Sequence, residues 1–461
     1  MKISFHGAVR EVTGSAHLIE LDSGYRILLD CGLFQGNDEE AAKQNKEWGF
    51  DPASIDCVIM SHAHIDHIGR LPKLVKDGFD GVVFSTPATR SLALIMLLDS
   101  AKIQQYDAEY ESRKTRKEVE PLYNTEDVYE TLSRFITISY NRWHRISQQL
   151  SFLFTDAGHI LGSAAITLKI HEEGREKTIG FTGDIGRPAR PILRDPQEMP
   201  QLELLICEST YGNRRHETGP DQLKKLHFII KKTCVENKGR LIIPAFSLGR
   251  TQEIIYMLDK MENDGSLPKI PVYVDSPLSV NATRIFRLHP ECYDQKLKDY
   301  IEFDPDPFGF NGLNYITELE ESKAINRSKE PCIIISSSGM ANAGRVRHHI
   351  ANNISDQKNT ILIVGYCAPG TTGAHLRSQP DTVTLFGEVK KVKASIEVMD
   401  SFSAHGDIDE MLAFLDHQKK KLRKIFLVHG NQKAKEEFSK TLIDEGYINV
   451  VIPVEGEEYR H

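Results

Sequence analysis

The 461 residues carry 57 Lys and Arg against 65 Asp and Glu, a formal net charge of −8, with 40% hydrophobic and 26% charged positions. That composition is ordinary for a soluble protein, and the length allows two or three domains with ample core. It excludes a globally basic, non-specific nucleic-acid binder, so any polyanionic partner must be held by a local field. No stretch approaches the length of an apolar membrane span. Seven cysteines are scattered without a Cys-x-x-Cys pair, and Cys57, Cys207 and Cys332 lie inside apolar runs. These read as core thiols in a reducing compartment. Met1 to Arg10 lacks the continuous apolar segment of a signal peptide. The expectation is a cytoplasmic protein.

Residues 1–30 alternate in a strand-like way around a glycine-containing turn at Gly14. Arg26 to Gly32 reads as a strand that delivers Asp30 to its end. Alone, Asp30 is a turn or cap residue. Beside a metal it can instead accept a hydrogen bond from a ligating imidazole.

The densest chemistry follows the apolar run Cys57 to Met60. After Ser61 come His62, His64, Asp66 and His67. Imidazole nitrogens and carboxylate oxygens suit Zn²⁺, and four of them within six positions at a strand end predict a metal site. On a loop, His62 and His64 can turn toward one ion while Asp66 and His67 turn toward another. Gly69 is expected to allow a tight turn before a helix near Pro72.

Ser91 to Tyr110 reads as an amphipathic helix, and the charged stretch Glu109 to Glu120 as a solvated face. Strands are predicted at Ser151–Thr155, Ala165–Ile170, Thr178–Thr182 and Leu202–Cys207. His159, Asp184 and Glu208 stand at the ends of three of them. Each is uninformative singly: a lone histidine at a strand end is rarely a ligand, and Asp184 between glycines also suits a turn. Together they suggest strand ends converging on polar ligands, the usual way a layered α/β fold builds a site.

From 209 to 394 strands and helices alternate, as in a parallel, doubly wound sheet. Predicted strands are Arg240–Pro244, Ile270–Val274, Cys332–Ile335 and Ile361–Val364. Helices are predicted over 220–237, Pro277–Leu288 and Gly344–Ile350. The last part, 395–461, carries Ser401-Phe402-Ser403-Ala404-His405, a helix N-capped by Asp407, and the strand Ile425–Val428 ending at His429.

Asp30, the His62/His64/Asp66/His67 run, His159, Asp184, Glu208, His405 and His429 recur in this order at strand ends. On these residues the sequence resembles the metallo-β-lactamase superfamily, in its β-CASP branch of RNA-processing nucleases, over essentially the full chain. Glu208 in Glu-Ser-Thr-Tyr-Gly, His405 in Ser-Phe-Ser-Ala-His and His429 in Val-His-Gly look like the additional motifs of that branch. So do the Phe246 to Arg250, Ser337 to Met340 and Gly365-Tyr366 segments. The likeness is to compact bacterial members and to the core of the endonuclease that cleaves pre-mRNA 3′ ends.

The resemblance implies an αββα metallo-β-lactamase fold over 1–208 and 395–461, with an inserted α/β β-CASP cap over 209–394. It implies two Zn²⁺ per chain, or manganese, which the same donors accept. One ion takes His62, His64, His159 and Asp184; the other takes Asp66, His67, His429 and the shared Asp184. A bridging hydroxide then attacks phosphorus in line. His405 serves as general acid and Glu208 orients it. Ser337, Ser338, Gly339, Arg345 and His375 become candidate phosphate contacts, with a packing role equally open to them. In that branch a histidine at the position of His429 goes with RNA-processing members, so the resemblance implies RNA over DNA.

The implied partner is single-stranded RNA, with no membrane, and a homodimer is allowed. The expected activity is an endonucleolytic zinc-dependent ribonuclease, with 5′-to-3′ exonuclease action left open. Competing readings are a metallohydrolase of small esters, thioesters or lactones, and a non-catalytic RNA-binding subunit.

Overall fold

A computed structural model describes residues 1–36, 39–216, 221–368, 370–399 and 403–461. The chain divides into two compact units: residues 1–215 with 404–461, and residues 216–403.

Among the described residues, the first unit holds two seven-stranded sheets. One runs in the spatial order Glu458–Arg460, Lys2–Phe5, His17–Glu20, Arg26–Leu29, Cys57–Ile59, Val82–Ser85, Phe135–Thr137. The other runs Val450–Val451, Lys424–Val428, Leu204–Glu208, Arg175–Phe181, Ala164–Glu172, Leu150–Asp156, His144–Arg145. The period of two along each strand decides what faces what. Ile206, Phe426 and Val428 point between the sheets and join Phe5, Ile27, Ile59, Phe154 and Phe181 in one buried core. Leu205, Cys207, Ile425 and Leu427 point the other way, onto Met411, Leu415, Phe438 and Leu442. Those four belong to helices Ile408–Leu415 and Gln432–Asp444. Each such buried side chain contributes about 1.5–3 kcal/mol. Against the first sheet, helix Pro87–Thr115 packs on strand Phe135–Thr137 and on helix Thr125–Ser133. The layering is αββα, and the site residues sit at strand ends and on the loops and short helix that follow them.

The second unit is built on a six-stranded, all-parallel sheet. Its spatial order is Leu313–Ile316, Val272–Asp275, Ile333–Ser336, Leu241–Pro244, Thr360–Val364, Ser395–Met399. The inner strands are mostly apolar and buried on both faces, as Ile333, Ile334 and Ile335 show.

Two expectations change here. Residues 395–399 do not begin the returning segment: they pair in parallel with Thr360–Val364 and complete this sheet, so the chain re-enters the first unit at Ala404. Thr382–Leu385 and Glu388–Lys391 form a β-hairpin that the alternation argument passes over.

Gly69 also has a different role from the one expected. It lies at φ −69°, open to any residue, and caps the helix Ile65–Ile68. A Cβ there would stand 2.4 Å from Ile65 O and 2.6 Å from the Leu33 side chain, so close approach excludes a larger residue.

Candidate metal centre

The strand Cys57–Ile59 ends beneath a loop that carries Ser61 and His62, both buried. The following short helix carries Asp66 and His67. The Ala164–Glu172 and Arg175–Phe181 strands bring His159 and Asp184 to the same edge, and the strand Lys424–Val428 ends directly before His429. Asp30 and His429 both adopt left-handed backbone, at φ 59° and 50°. Non-glycine residues are held there only when the surroundings over-determine them, as at functional sites.

Two clusters result. His62 Nε2 lies 3.1 Å from His64 Nδ1, which lies 3.2 Å from His159 Nε2. Asp184 Oδ2 is 3.5 Å from both His62 Nε2 and His159 Nε2. In the second cluster His67 Nε2 lies 3.1 Å from His429 Nε2, which is 3.5 Å from Asp66 Oδ2. Asp184 Oδ1 is 3.4 Å from His67 Nε2. Ligand atoms held tetrahedrally at about 2.0–2.1 Å from Zn²⁺ stand about 3.3 Å apart. Both clusters have that spacing, and the two oxygens of one carboxylate divide between them.

Hydrogen bonds set the tautomers, and the result tests whether a cation fits. Asp30 Oδ2 accepts from Ser61 Oγ at 2.7 Å and lies 2.6 Å from His67 Nδ1. Ser61 N donates to the other Asp30 oxygen at 2.7 Å. With its proton given to Asp30, Ser61 Oγ can only accept from His62 Nδ1, 3.0 Å away. Thr210 Oγ1 donates to His429 O and so accepts from His429 Nδ1, each at 3.0 Å. His62, His67 and His429 therefore carry their protons on Nδ1 and turn bare Nε2 lone pairs inward. Lone pairs at 3.1 Å repel unless a cation stands between them. Asp184 Oδ1, buried and without a hydrogen-bond partner, has the same need.

Electrostatics agree. Burial drives the His64 pKa down to about 4, and burial with neighbouring imidazoles holds His62 and His159 well below the usual value. Burial opposes charge on His67 too, but the Asp184 and Asp30 carboxylates outweigh it and hold its pKa well up. The two carboxylates thus favour positive charge at the place where a bound metal would supply it.

A third group adjoins these. His405 Nδ1 lies 3.2 Å from Glu208 Oε2 and 3.9 Å from Asp184 Oδ2. Glu208 is buried and accepts backbone N–H bonds from Ile185 and Thr210. Burial lowers the His405 pKa, but Glu208 and Asp184 overcome that and raise it to about 9. The His405 side chain is 20% exposed, so its ring opens to solvent while its carboxylate partner does not. Asp407 caps the helix behind it, accepting from Asp409 N and Glu410 N at 3.0 Å each. Ser401 and Phe402 of the same motif lie outside the described residues.

Family models match three stretches: a metallo-beta-lactamase superfamily domain over residues 18–179, a Beta-Casp domain over 251–376, and a Zn-dependent metallo-hydrolase RNA specificity domain over 389–453. Ribonuclease TTHA0252 of Thermus thermophilus is 36% identical over 435 residues, covering 94% of each chain. The chain belongs to the β-CASP branch of the metallo-β-lactamase superfamily. Within that branch it is also 30% identical to an RNase J-like protein of Methanocaldococcus jannaschii over 98% of both chains. It is 32% identical to the transcription termination factor FttA of Methanosarcina mazei, over 94% of this chain and 67% of that one. This β-CASP chain is a metal-dependent hydrolase of the RNA-processing kind. No described helix is long and apolar enough to cross a membrane.

The candidate phosphate contacts all lie in the second unit, engaged within it. Arg345 Nη1 donates to the buried Asp275 at 2.7 Å and Nη2 to Thr317 O at 2.6 Å. Asp275 also lies 2.6 Å from His349 Nε2. Ser337 Oγ is 2.6 Å from Ser276 Oγ, and Ser338 N donates to Ala343 O. A Cβ on Gly339 would fall 2.7 Å from the Phe246 ring, and His375 Nε2 lies 3.1 Å from Thr382 O. For Arg345 this geometry favours the packing role over the phosphate role. Arg345→Ala is accordingly expected to lower stability by about 2 kcal/mol through the lost charge-assisted bonds, read by urea unfolding. Ser61 and Thr210, which set the tautomers, escaped sequence reasoning because single hydroxyls beside a motif carry no signal of their own.

Asp30→Asn is expected to weaken metal affinity about 10–100-fold, measured by chelator competition, because the His67 ring loses the carboxylate that orients it.

Proposed function

We propose that this chain hydrolyses phosphodiester bonds of single-stranded RNA, endonucleolytically, at a centre of two zinc ions. The split of the Asp184 carboxylate, one oxygen to each histidine cluster, carries this reading. His62, His64, His159 and Asp184 would hold one ion and Asp66, His67 and His429 the other, with Asp184 Oδ1, 3.4 Å from His67 Nε2, shared with the second. Bound there, the ions would polarise the phosphoryl oxygens and activate water.

The chain's own residues do the rest. Glu208 engages His405 Nδ1, which leaves Nε2 as the ring atom that gives a proton to the departing oxygen. The raised His405 pKa keeps that proton in place at neutral pH. Asp30, Ser61 and Thr210 fix the ligating rings, so no reorganisation is needed during reaction. Free, buried thiols at all seven cysteines support the cytoplasm as its compartment. A homodimer is part of the proposal, open to light scattering.

The test is turnover of an RNA oligonucleotide beside phenyl acetate and a simple lactone by the zinc-loaded chain. RNA cleavage with inert esters supports the proposal. Ester or lactone hydrolysis without RNA cleavage contradicts it.

A further inference from the structure

The hairpin of the second unit breaks a rule of its own turn. Leu385 pairs with Glu388, so the loop is the two residues Phe386 and Gly387. Both have positive φ, 54° and 81°, as a type I′ turn requires. Asn or Asp favours the first position; a bulky aromatic there is an outlier. The Phe386 ring is nevertheless 48% exposed, so burial does not explain it. It stacks on the exposed His348 ring, with centroids 4.4 Å apart and planes 25° from parallel. The Arg347 guanidinium lies 4.5 Å from its centroid. Burial and the neighbouring His349 and Arg347 lower the His348 pKa, so the stack holds a neutral imidazole. Lys391, the last residue of the second strand, and Lys393 just beyond it are both exposed, while Glu388 is neutralised by Lys390 at 3.0 Å.

We propose that Phe386 and His348 form a stacking platform for a base of single-stranded RNA, with Lys391 and Lys393, at the far end of the hairpin, taking phosphates further along the RNA strand. Bases stack on exposed aromatic and guanidinium planes without regard to sequence, and lysines along the same edge follow the backbone. The match to the RNA specificity domain begins at residue 389, inside this hairpin. The platform is an accessory binding site, distinct from the metal centre, and it rests on the ribonuclease reading.

The test exploits the strained turn. Phe386→Asn installs the residue a type I′ turn prefers, so its melting temperature stays level or rises. Affinity for a fluorescein-labelled single-stranded oligoribonucleotide, read by anisotropy on the full chain with chelator present, falls about 5- to 100-fold. Lys391→Ala lowers the slope of log affinity against log salt by about 0.7. Unchanged affinity in Phe386→Asn overturns the platform. So does an affinity loss that only accompanies a lower melting temperature, which would make Phe386 a packing residue. Loss of self-association with RNA affinity intact would assign the patch to a second copy of the chain. If the wild-type chain neither binds nor cuts RNA, the ribonuclease reading has failed as well.

Discussion

His64→Ala removes bound metal and RNA cleavage together. His64 Nδ1 stands at 3.1 and 3.2 Å from the Nε2 atoms of His62 and His159, so it closes the first cluster. Without it three donors remain, and Asp184 must serve the second cluster with no counter-charge in the first. Because Asp184 divides its oxygens, the loss spreads to both sites. Metal content by elemental analysis should fall from the proposed two ions per chain, and RNA turnover should fall to background. The folded core should survive, since His64 lies on a loop outside the packed residues between the sheets. An active, fully metallated His64→Ala protein would remove His64 from the ligand set.

His405→Ala should behave differently: metal retained, RNA cleavage slowed about 10²–10⁴-fold, the usual worth of general acid–base catalysis. A leaving ribose oxygen needs a proton, whereas p-nitrophenolate departs without one. Hydrolysis of bis(p-nitrophenyl) phosphate should therefore lose far less than RNA cleavage does. In the proposed role the acid form of His405 is the active one, so wild-type turnover should fall as pH rises through its pKa. Glu208→Gln removes the carboxylate that raises that pKa, and the alkaline limb should move to lower pH. An unmoved limb, or equal losses on both substrates, would place His405 outside proton transfer.

How much of this was legible depends on the kind of signal. His62, His64, Asp66 and His67 announce themselves because four donors in six positions have no packing explanation. His159, Asp184 and His429 are readable only as a set, since each alone is an ordinary strand-end residue. Their convergence needs strands far apart in sequence to pair, such as Leu204–Glu208 with Lys424–Val428. Ser61 and Thr210 were invisible because their role lies in the direction of one hydroxyl proton. The returning boundary was misplaced because Ser395–Met399 includes Glu397, which masks an apolar strand. The hairpin before it lacks the Asn-Gly turn that usually betrays one. The Arg345 guanidinium suits phosphate; only the three-dimensional structure gives it Asp275 as a partner.

The most direct measurement is cleavage of a circular single-stranded RNA and its linear counterpart by the zinc-loaded chain, with and without chelator. Two-metal endonucleolytic hydrolysis predicts that both are cut and that chelator stops both. Loss of the linear RNA alone would make the enzyme an exonuclease that needs a free end. Cleavage of neither, or cleavage that persists in chelator, would contradict a metal-dependent ribonuclease built on Asp184 and its two histidine clusters.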